Sequence, residues 1–556
     1  MKRNGSEILL EVLIEQGTDV IFGYPGGAIL NIHDALYHYS DKIRHIVTSH
    51  EQGASHAADG YARVSGKPGV LLATSGPGAT NIVTGLATAF MDSVPIVAIT
   101  GNVPKNLIGR DSFQEIDIAG ITMPITKCNY IVDSVEKLAD TVREAFFVAM
   151  SGRPGPVLVD IPKDVTLAEC EYVPAEKMGK RKTPELNEAE IEAAITAISS
   201  AKNPLIYAGG GVVYSDASAK LVAFAEQNDI PVITSMMGIS SIPNDHKLHF
   251  GMVGMHGTPV ANYATTHCDL LIAIGTRFSD RVAGNREHFA SAATVLHIDI
   301  DPSEHSKNII SHLCVVGDCG DVLQRLIDGT KQTSHSEWTT QLTTYEAEKS
   351  IKSMLRTDTV NLRYILREIK KNVGEDAIIV TDVGQHQMVT AQAYPFVVPK
   401  SFVSSCGLGT MGYGLGAAMG AKVAMPHREV ILITGDGSFH MNMAEMACIA
   451  SENLDIKIMV INNGVLGMVR QWQKLFYGKR YSNVEVERKT DFVKLAEAFS
   501  LAGERILELS EVEETIKKTF ANKGTATLVE VVVDKEDGIY PIIPPGGSAK
   551  DIILEN

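Results

Sequence analysis

Cysteine is scarce and scattered: Cys128, Cys170, Cys268, Cys314, Cys319, Cys406 and Cys448 are the only seven in 556 residues, and no two form a CxxC pair. That pattern suggests neither a disulfide framework nor a zinc site. Long hydrophobic runs are missing too. No stretch approaches the roughly 18–20 apolar residues that span a bilayer. The start, MKRNGSEILLEVLIEQG, interrupts its apolar positions with Glu7, Glu11 and Glu15, so it reads as an amphipathic helix and not as a signal peptide. Positive charge is in deficit: 50 Lys and Arg stand against 66 Asp and Glu, a formal net charge of −16. This balance speaks against nucleic acid and membrane partners, and an anionic small substrate would need a local exception. No short internal repeat is evident, which argues against a solenoid. The expectation is a cytoplasmic protein in reducing surroundings.

What is present looks like an ordinary globular protein, with 45% hydrophobic residues, 48 Gly and 22 Pro. At roughly 100–200 residues per domain, the length predicts about three domains. Strand-like runs alternate with helical patterns from the start: DVIFG, RHIVTS, GVLLATS and PIVAIT, with HEQGASHAADGYARV and ATNIVTGLATAF between them. Such alternation signals parallel βαβ units. A second series runs PLIYAGGG, IPVITSM, LLIAIGTRF, TVLHIDID, and a third AIIVTDVG, EVILITGDG, IKIMVINNG, TLVEVVVD. The predicted class is α/β, with three doubly wound parallel-sheet domains at 1–170, 188–330 and 359–556. The polar stretches 171–187 and 331–358 are expected linkers.

Three local motifs are decoys. His50-Glu51 opens like a zinc HExxH helix, but Ala54 stands where the second ligand is needed. GYARVSGKP resembles a phosphate loop with the spacing one residue too long and Pro68 in place of the Ser or Thr that would bind magnesium. Gly407, Gly409 and Gly412 satisfy GxGxxG, which fits either a dinucleotide fold or close helix–strand packing.

The strongest signal is ILITGDGSFHMN followed by IKIMVINNG, with 24 residues between GDG and NN. Two adjacent parallel strands would bring the Asp436 carboxylate and an Asn oxygen to one sheet edge, and these are hard ligands suited to Mg²⁺. A metal there can bridge to a diphosphate, while the glycines allow close backbone approach and the following helix offers free N–H groups. Two tight strand-to-helix turns with an Asp cap are the plain structural alternative.

The GDG–NN pair resembles the diphosphate anchor of thiamine diphosphate enzymes. In that superfamily a glutamate from a second domain serves the aminopyrimidine ring, and Glu51 in SHEQGASHAADGYAR matches it in context. The likeness narrows to one family and extends nearly end to end. GYPGGAIL, TSGPGATN, GRDSFQEID, SGRPGPVLVDIPKD, GMVGMHGTPVANYA, GTRFSDRVAGN, DVGQHQM, GLGTMGYGLGAAMGA, NNGVLGMVRQW and YPIIPPGG resemble the catalytic subunits of biosynthetic acetohydroxyacid (acetolactate) synthases.

The resemblance implies a pyrimidine-binding, a central FAD-binding and a diphosphate-binding domain. Asp436, Asn463 and the Val465 carbonyl would bind Mg²⁺, with Gly384, Gln385, His386, Gly435, Gly437 and Ser438 around the diphosphate. Gly409 and Met411 would serve the aminopyrimidine, so the GxGxxG match passes from a nicotinamide cofactor to thiamine diphosphate. Tyr24, Pro25, Pro77, Asn81 and Gln114 would approach the ring from a partner chain, beside Glu51. Flavin contacts would come from Arg153, Gly209, Gly210, Gly211, Ser235, Val253, Met255, His256, Gly275, Arg277, Arg281, Asp299, Ile300, Asp318 and Cys319. Arg281 is a planar cation that can take a ketoacid carboxylate; its plain structural role would be an ion pair with Asp280. Trp472 would favour 2-ketobutyrate over pyruvate as acceptor, and Phe113, Met468 and Lys163 match other pocket positions.

The implied reaction decarboxylates pyruvate and joins the two-carbon unit to a second pyruvate or to 2-ketobutyrate, the entry to valine, leucine and isoleucine. The implied assembly is a homodimer or tetramer with a small regulatory subunit. Ser279, Val389 and Arg470 depart from the usual family spelling near the flavin and acceptor sites. Pyruvate oxidase, flavin-free catabolic acetolactate synthase and a non-catalytic scaffold are the competing readings; RFSDR with GMVRQW, and intact Glu51, Asp436 and Asn463, argue against them.

Overall fold

The computed structural model describes residues 1–177, 179, 183, 185–349, 358–486 and 488–555. Three six-stranded sheets, parallel throughout, account for the three α/β series. The first contains Val20–Gly23, Arg44–Val47, Gly69–Ala73, Ile96–Asn102, Cys128–Ile131 and Val157–Pro162. Counted in chain order, these strands lie 2-1-3-4-6-5 across the sheet. The third sheet has the same order, built from Ile378–Thr381, Phe402–Ser404, Val430–Gly435, Ile456–Asn462, Ala502–Ile506 and Thr527–Val532. The central sheet differs. Its strands, Pro204–Ala208, Val232–Thr234, His249–Met252, Leu270–Ile274, Thr294–Asp299 and Leu313–Val316, lie 3-2-1-4-5-6, the order of dinucleotide-binding folds. Inner strands such as Gly69–Ala73 and Leu270–Ile274 are buried at every position because helices cover both faces.

Phe402–Ser404 falls in the strand-like FVSS that precedes Gly407, and five other strands of these sheets fall outside the strand-like runs of the sequence. Four of them, Cys128–Ile131, His249–Met252, Leu313–Val316 and Ala502–Ile506, are sheet edges, only partly buried and therefore free of a continuous apolar pattern. The fifth, Val157–Pro162, is fully buried and appears in the sequence only inside a family motif.

The expected linkers need correction. The first domain runs past 170, because Lys2–Asn4 pairs antiparallel with Glu169–Glu171 and Tyr172 is buried. In the second stretch, 331–358, Ser336–Glu348 is a helix on the central domain. Trp338 and Leu342, one turn apart, are buried in that core, and the Trp338 indole N–H donates to the Pro204 carbonyl at 3.0 Å. With only these two residues of the helix buried, its polar majority hid it. Residues 178, 180–182, 184 and 350–357 of the two stretches lie outside the described residues.

The outer domains pack on each other within the chain through helices Glu51–Ser65 and Tyr413–Ala424. Small residues allow the approach: a β-carbon on Gly60 would stand 2.1 Å from the Ala417 carbonyl oxygen, and one on Gly420 1.8 Å from that of Ala57. Beside them lies a buried ionic knot. Arg63 bonds Asp59 at 2.6 Å and Asp92 at 2.8 Å, Tyr413 donates to Asp59, and Asp92 accepts the N–H groups of Cys406 and Gly407. Among the described residues no helix is long and apolar enough to cross a membrane.

Candidate active site

Strands Ile378–Thr381, Val430–Gly435 and Ile456–Asn462 are neighbours, with Gly435 paired to Ile461. Their carboxyl ends therefore open on one edge, as the spacing of GDG and NN requires. A cleft of about 480 Å³ lies there, lined by Gly384, Gln385, His386, Met411, Gly435, Asp436, Gly437, Ser438, Asn463, Val465 and Met468. Helices Gln385–Ala393 and Asp436–Asn442 start at this edge, and neither has a side-chain cap. Their free N–H groups suit an anion.

Asp436 is buried, and burial pushes its carboxyl above the usual range against the pull of the Gly437 and Asn463 N–H groups. No Lys or Arg forms an ion pair with it among the described residues. Such a desolvated anion beside an Asn oxygen and a main-chain carbonyl fits a hard divalent cation, whose charge would reverse the burial penalty. His386 is buried, its Nε2 has no hydrogen-bond partner, and burial lowers its pKa to about 4, so the ring is neutral. An orphaned polar atom at this edge fits a bound polar group such as a diphosphate oxygen.

Asp382 organises the edge from below. It accepts the N–H groups of Val383, Gly412 and Gly414 and is pushed up to about 6 by burial. Gly412 has φ +87°, and Asp382 pins the turn that carries Gly409 and Met411. The sequence reading missed Asp382, although an Asp closing the apolar run of TDVG is a usable signal.

Glu51 is the first residue of helix Glu51–Ser65, capped by the His50 side chain on the Gln52 N–H. Its carboxylate accepts a 2.9 Å bond from Asn81. Gly76, with φ +61°, backs directly onto Gln114. Tyr24, Pro25, Pro77 and Phe113 are exposed on the same domain, and Lys163 donates to the Gly27 carbonyl. None of these residues lines the 480 Å³ cleft. Glu51 lies instead near Glu445, which accepts the N–H groups of Ser49 and His50 at 3.0 Å each and is pushed up to about 7 by burial, with Glu51 adding to the shift. Glu445 has no local signature in the sequence.

In the central domain the topological switch point falls between Pro204–Ala208 and Leu270–Ile274. Gly209, Gly211 and Gly275 meet there backbone to backbone; a β-carbon on Gly209 would sit 2.1 Å from the Gly275 oxygen. Gly210 follows on the same turn. Around the edge, Asp299, before Ile300, is pushed up to about 6 by burial, Asp318 caps the helix that starts at Cys319, and Ser235 accepts the Gly238 N–H. Val253 is buried, and a neutral His256, lowered to about 4, bonds the Pro541 carbonyl. Arg153 crosses from the first domain to Glu304 at 2.7 Å, and Arg277 crosses back to the Met91 carbonyl. A buried carboxylate at a strand end and a switch-point crevice fit a dinucleotide such as FAD.

Arg281 is exposed, 3.6 Å from Asp280, with its guanidinium 6.0 Å from the Trp472 ring. Met255 donates its N–H to the Arg281 carbonyl and accepts that of Ile543. The Trp472 indole nitrogen is buried without a partner. The structure thus brings the GDG and NN residues together in the cleft, sets Asn81 on Glu51, joins Gly209, Gly211 and Gly275 at the central switch point, and puts Arg281 beside Trp472.

The same three-part division appears in family comparisons. Models of the thiamine pyrophosphate enzyme N-terminal TPP binding domain, central domain and C-terminal TPP binding domain match residues 3–121, 191–326 and 382–531. The chain is 44% identical to the acetolactate synthase large subunit of Corynebacterium glutamicum, covering 99% of this chain and 90% of that protein. It is 44% identical to an acetolactate synthase of Arthrospira platensis, over 99% and 97%, and 42% identical to the acetolactate synthase isozyme 2 large subunit of Escherichia coli, over 99% of each.

Proposed function

The chain belongs to the acetolactate synthase large-subunit family of thiamine pyrophosphate enzymes, and from that premise we propose how its residues divide the work of thiamine diphosphate-dependent acetolactate synthesis. Pyruvate loses carbon dioxide, and the remaining two-carbon unit joins a second pyruvate to give 2-acetolactate, or 2-ketobutyrate to give 2-aceto-2-hydroxybutyrate. The bound cofactor supplies the electron sink for this chemistry. The single observation that carries the reading is the convergence of Gly384, Asp436 and Asn463 at three neighbouring strand ends, beside uncapped helix starts and a buried, unpaired carboxylate.

Asp436, Asn463 and the Val465 carbonyl would hold Mg²⁺, with Gly384, Gln385, His386, Gly435, Gly437 and Ser438 around the diphosphate. Met411 is the apolar prop at the cleft wall, next to Gly409. Glu51 holds and returns the proton of the aminopyrimidine, oriented by Asn81. Arg281 takes the carboxylate of the acceptor and Trp472 gauges its length, with Met468, Phe113, Gln114 and Lys163 completing the pocket. FAD would lie along the central edge on Gly209–Gly211, Ser235, Gly275, Asp299 and Asp318.

Glu51 stands near Glu445, beyond the far end of helix Asp436–Asn442, whose start faces the cleft. At a rise of about 1.5 Å per residue, this helix is roughly 10 Å long. That separation supports a site completed between two copies, with Glu51, Tyr24, Pro25, Pro77 and Asn81 of one copy serving the cofactor of the other. The name "large subunit" of the relatives supports a small regulatory partner as well.

The test is carbon dioxide released per pyruvate consumed, anaerobically, with thiamine diphosphate, Mg²⁺ and FAD. One carbon dioxide per two pyruvates, with acetolactate formed, is expected. One per pyruvate with acetaldehyde, or no turnover until an electron acceptor is added, would remove the acceptor role given to Arg281.

A further inference from the structure

Met468 and Trp472 lie one turn apart on helix Gly467–Phe476, and so share a face. Arg470 points the other way. It does not line the cleft and is 5% exposed. Its guanidinium fork reaches three groups on two separate segments. Nε donates to Glu485 at 3.3 Å, Nη1 to the Lys535 carbonyl at 3.3 Å, and Nη2 to Glu536, while the plane stacks 4.2 Å from the centre of the Tyr481 ring. Both segments touch the site. Glu485 is bridged to Val465, and Leu466 donates its N–H to the Val484 carbonyl. Residues 533–540 form part of the cleft wall, where Gln471 makes a two-way bond with Ile539 at 2.8 and 2.9 Å and also receives Gln385.

We propose that Arg470 is a positioning residue for acceptor choice: by tying the back of helix Gly467–Phe476 to residues 481–485 and 535–536, it sets where Trp472 stands relative to Arg281. The inference rests on the reading that Trp472 and Arg281 receive the acceptor ketoacid. A helix held from behind at one residue by three directional bonds and a stack can neither roll nor slide, and an indole 6.0 Å from a guanidinium discriminates chain lengths only if that spacing is fixed. Lysine could not replace the arginine, because one ammonium lacks the planar fork and the stacking face.

The experiment is competition between pyruvate and 2-ketobutyrate as acceptors, read as the product ratio, in wild type, Arg470→Met, Arg470→Lys and Trp472→Leu. Arg470→Met should lower the preference for 2-ketobutyrate about tenfold while kcat with pyruvate alone stays within about twofold, and Arg470→Lys should fall between. In a Trp338→Phe background, where Trp472 is the single indole, acrylamide should quench its fluorescence more strongly once Arg470 is replaced. An unchanged ratio and unchanged quenching in Arg470→Met, with the ratio lost in Trp472→Leu, would overturn the proposal and leave the Trp472 reading standing. A ratio unchanged in Trp472→Leu would remove that reading, and the proposal with it. Should Arg470→Met fail to fold, Glu485→Gln and Glu536→Gln each remove one anchor, and each should lower the ratio about two- to threefold; no change in either would also overturn it.

Discussion

The first and third domains have the same strand order but differ in how the helices at the same edge begin. In the third, the helices after the first and third strands begin without side-chain caps, leaving N–H groups open to an anion. In the first, the helix after the second strand begins with a carboxylate, Glu51, and is capped by His50, while Glu445 closes the preceding N–H groups. Each edge opens a helix on a carboxylate, Asp436 in the third domain and Glu51 in the first, but Asp436 is the first residue of an uncapped helix and Glu51 of a capped one. The fold is indifferent to the choice; loop residues make it, which is why function is argued from the site and not from the topology.

The sharpest way to break this comparison is to remove each edge's charge. Asp436→Ala should lower activity about a thousandfold or more and abolish Mg²⁺-dependent retention of thiamine diphosphate, measured by equilibrium dialysis. The interface between the two domains comes next. Arg63→Met strands Asp59 and Asp92 in the interior and should destabilise the protein by about 3–5 kcal/mol, seen in denaturant unfolding. Glu51→Gln should lower kcat about a hundredfold with cofactor affinity nearly unchanged, which separates proton handling from anchoring. Mixed dimers sharpen the contrast further: co-expressed Glu51→Gln and Asp436→Ala chains, each with about a hundredth of wild-type activity or less alone, should recover about a quarter of it if each site draws one edge from each copy.

The smallest effect concerns Glu445. Its folded pKa of about 7 lies above the ordinary 4.5, so its protonated form contributes stability that is fully present below about 4.5 and lost as pH rises through about 7. Thermal midpoints should fall between about pH 4.5 and 7 and level off above that, and Glu445→Gln should flatten that part of the profile.

Much of the fold was legible because inner parallel strands are mostly apolar, and LLIAI or VILITG cannot be mistaken for surface. The edge strands were not, since half-buried positions carry mixed residues, and helix Ser336–Glu348 has the composition of a linker because only Trp338 and Leu342 are buried. At the site, Asp436 and Asn463 were readable from a spacing that parallel strands convert into proximity. Asp382 and Glu445 were not singled out: their partners, Gly412 and Gly414 for one, Ser49 and His50 for the other, are distant in the chain.

The sequence by itself determined the three α/β units, the residue types at GDG and NN, and the family. These are local properties: burial periodicity and short-range spacing survive without knowledge of what packs against what. Only the tertiary structure decided that Glu51 does not line its own chain's cleft, that Arg63, Asp59 and Asp92 are buried as one group, and that Arg470 ties the helix of Trp472 to residues 485 and 535–536. Those facts depend on contacts between residues far apart in the chain, and one-dimensional order carries no record of which distant surfaces exclude water together.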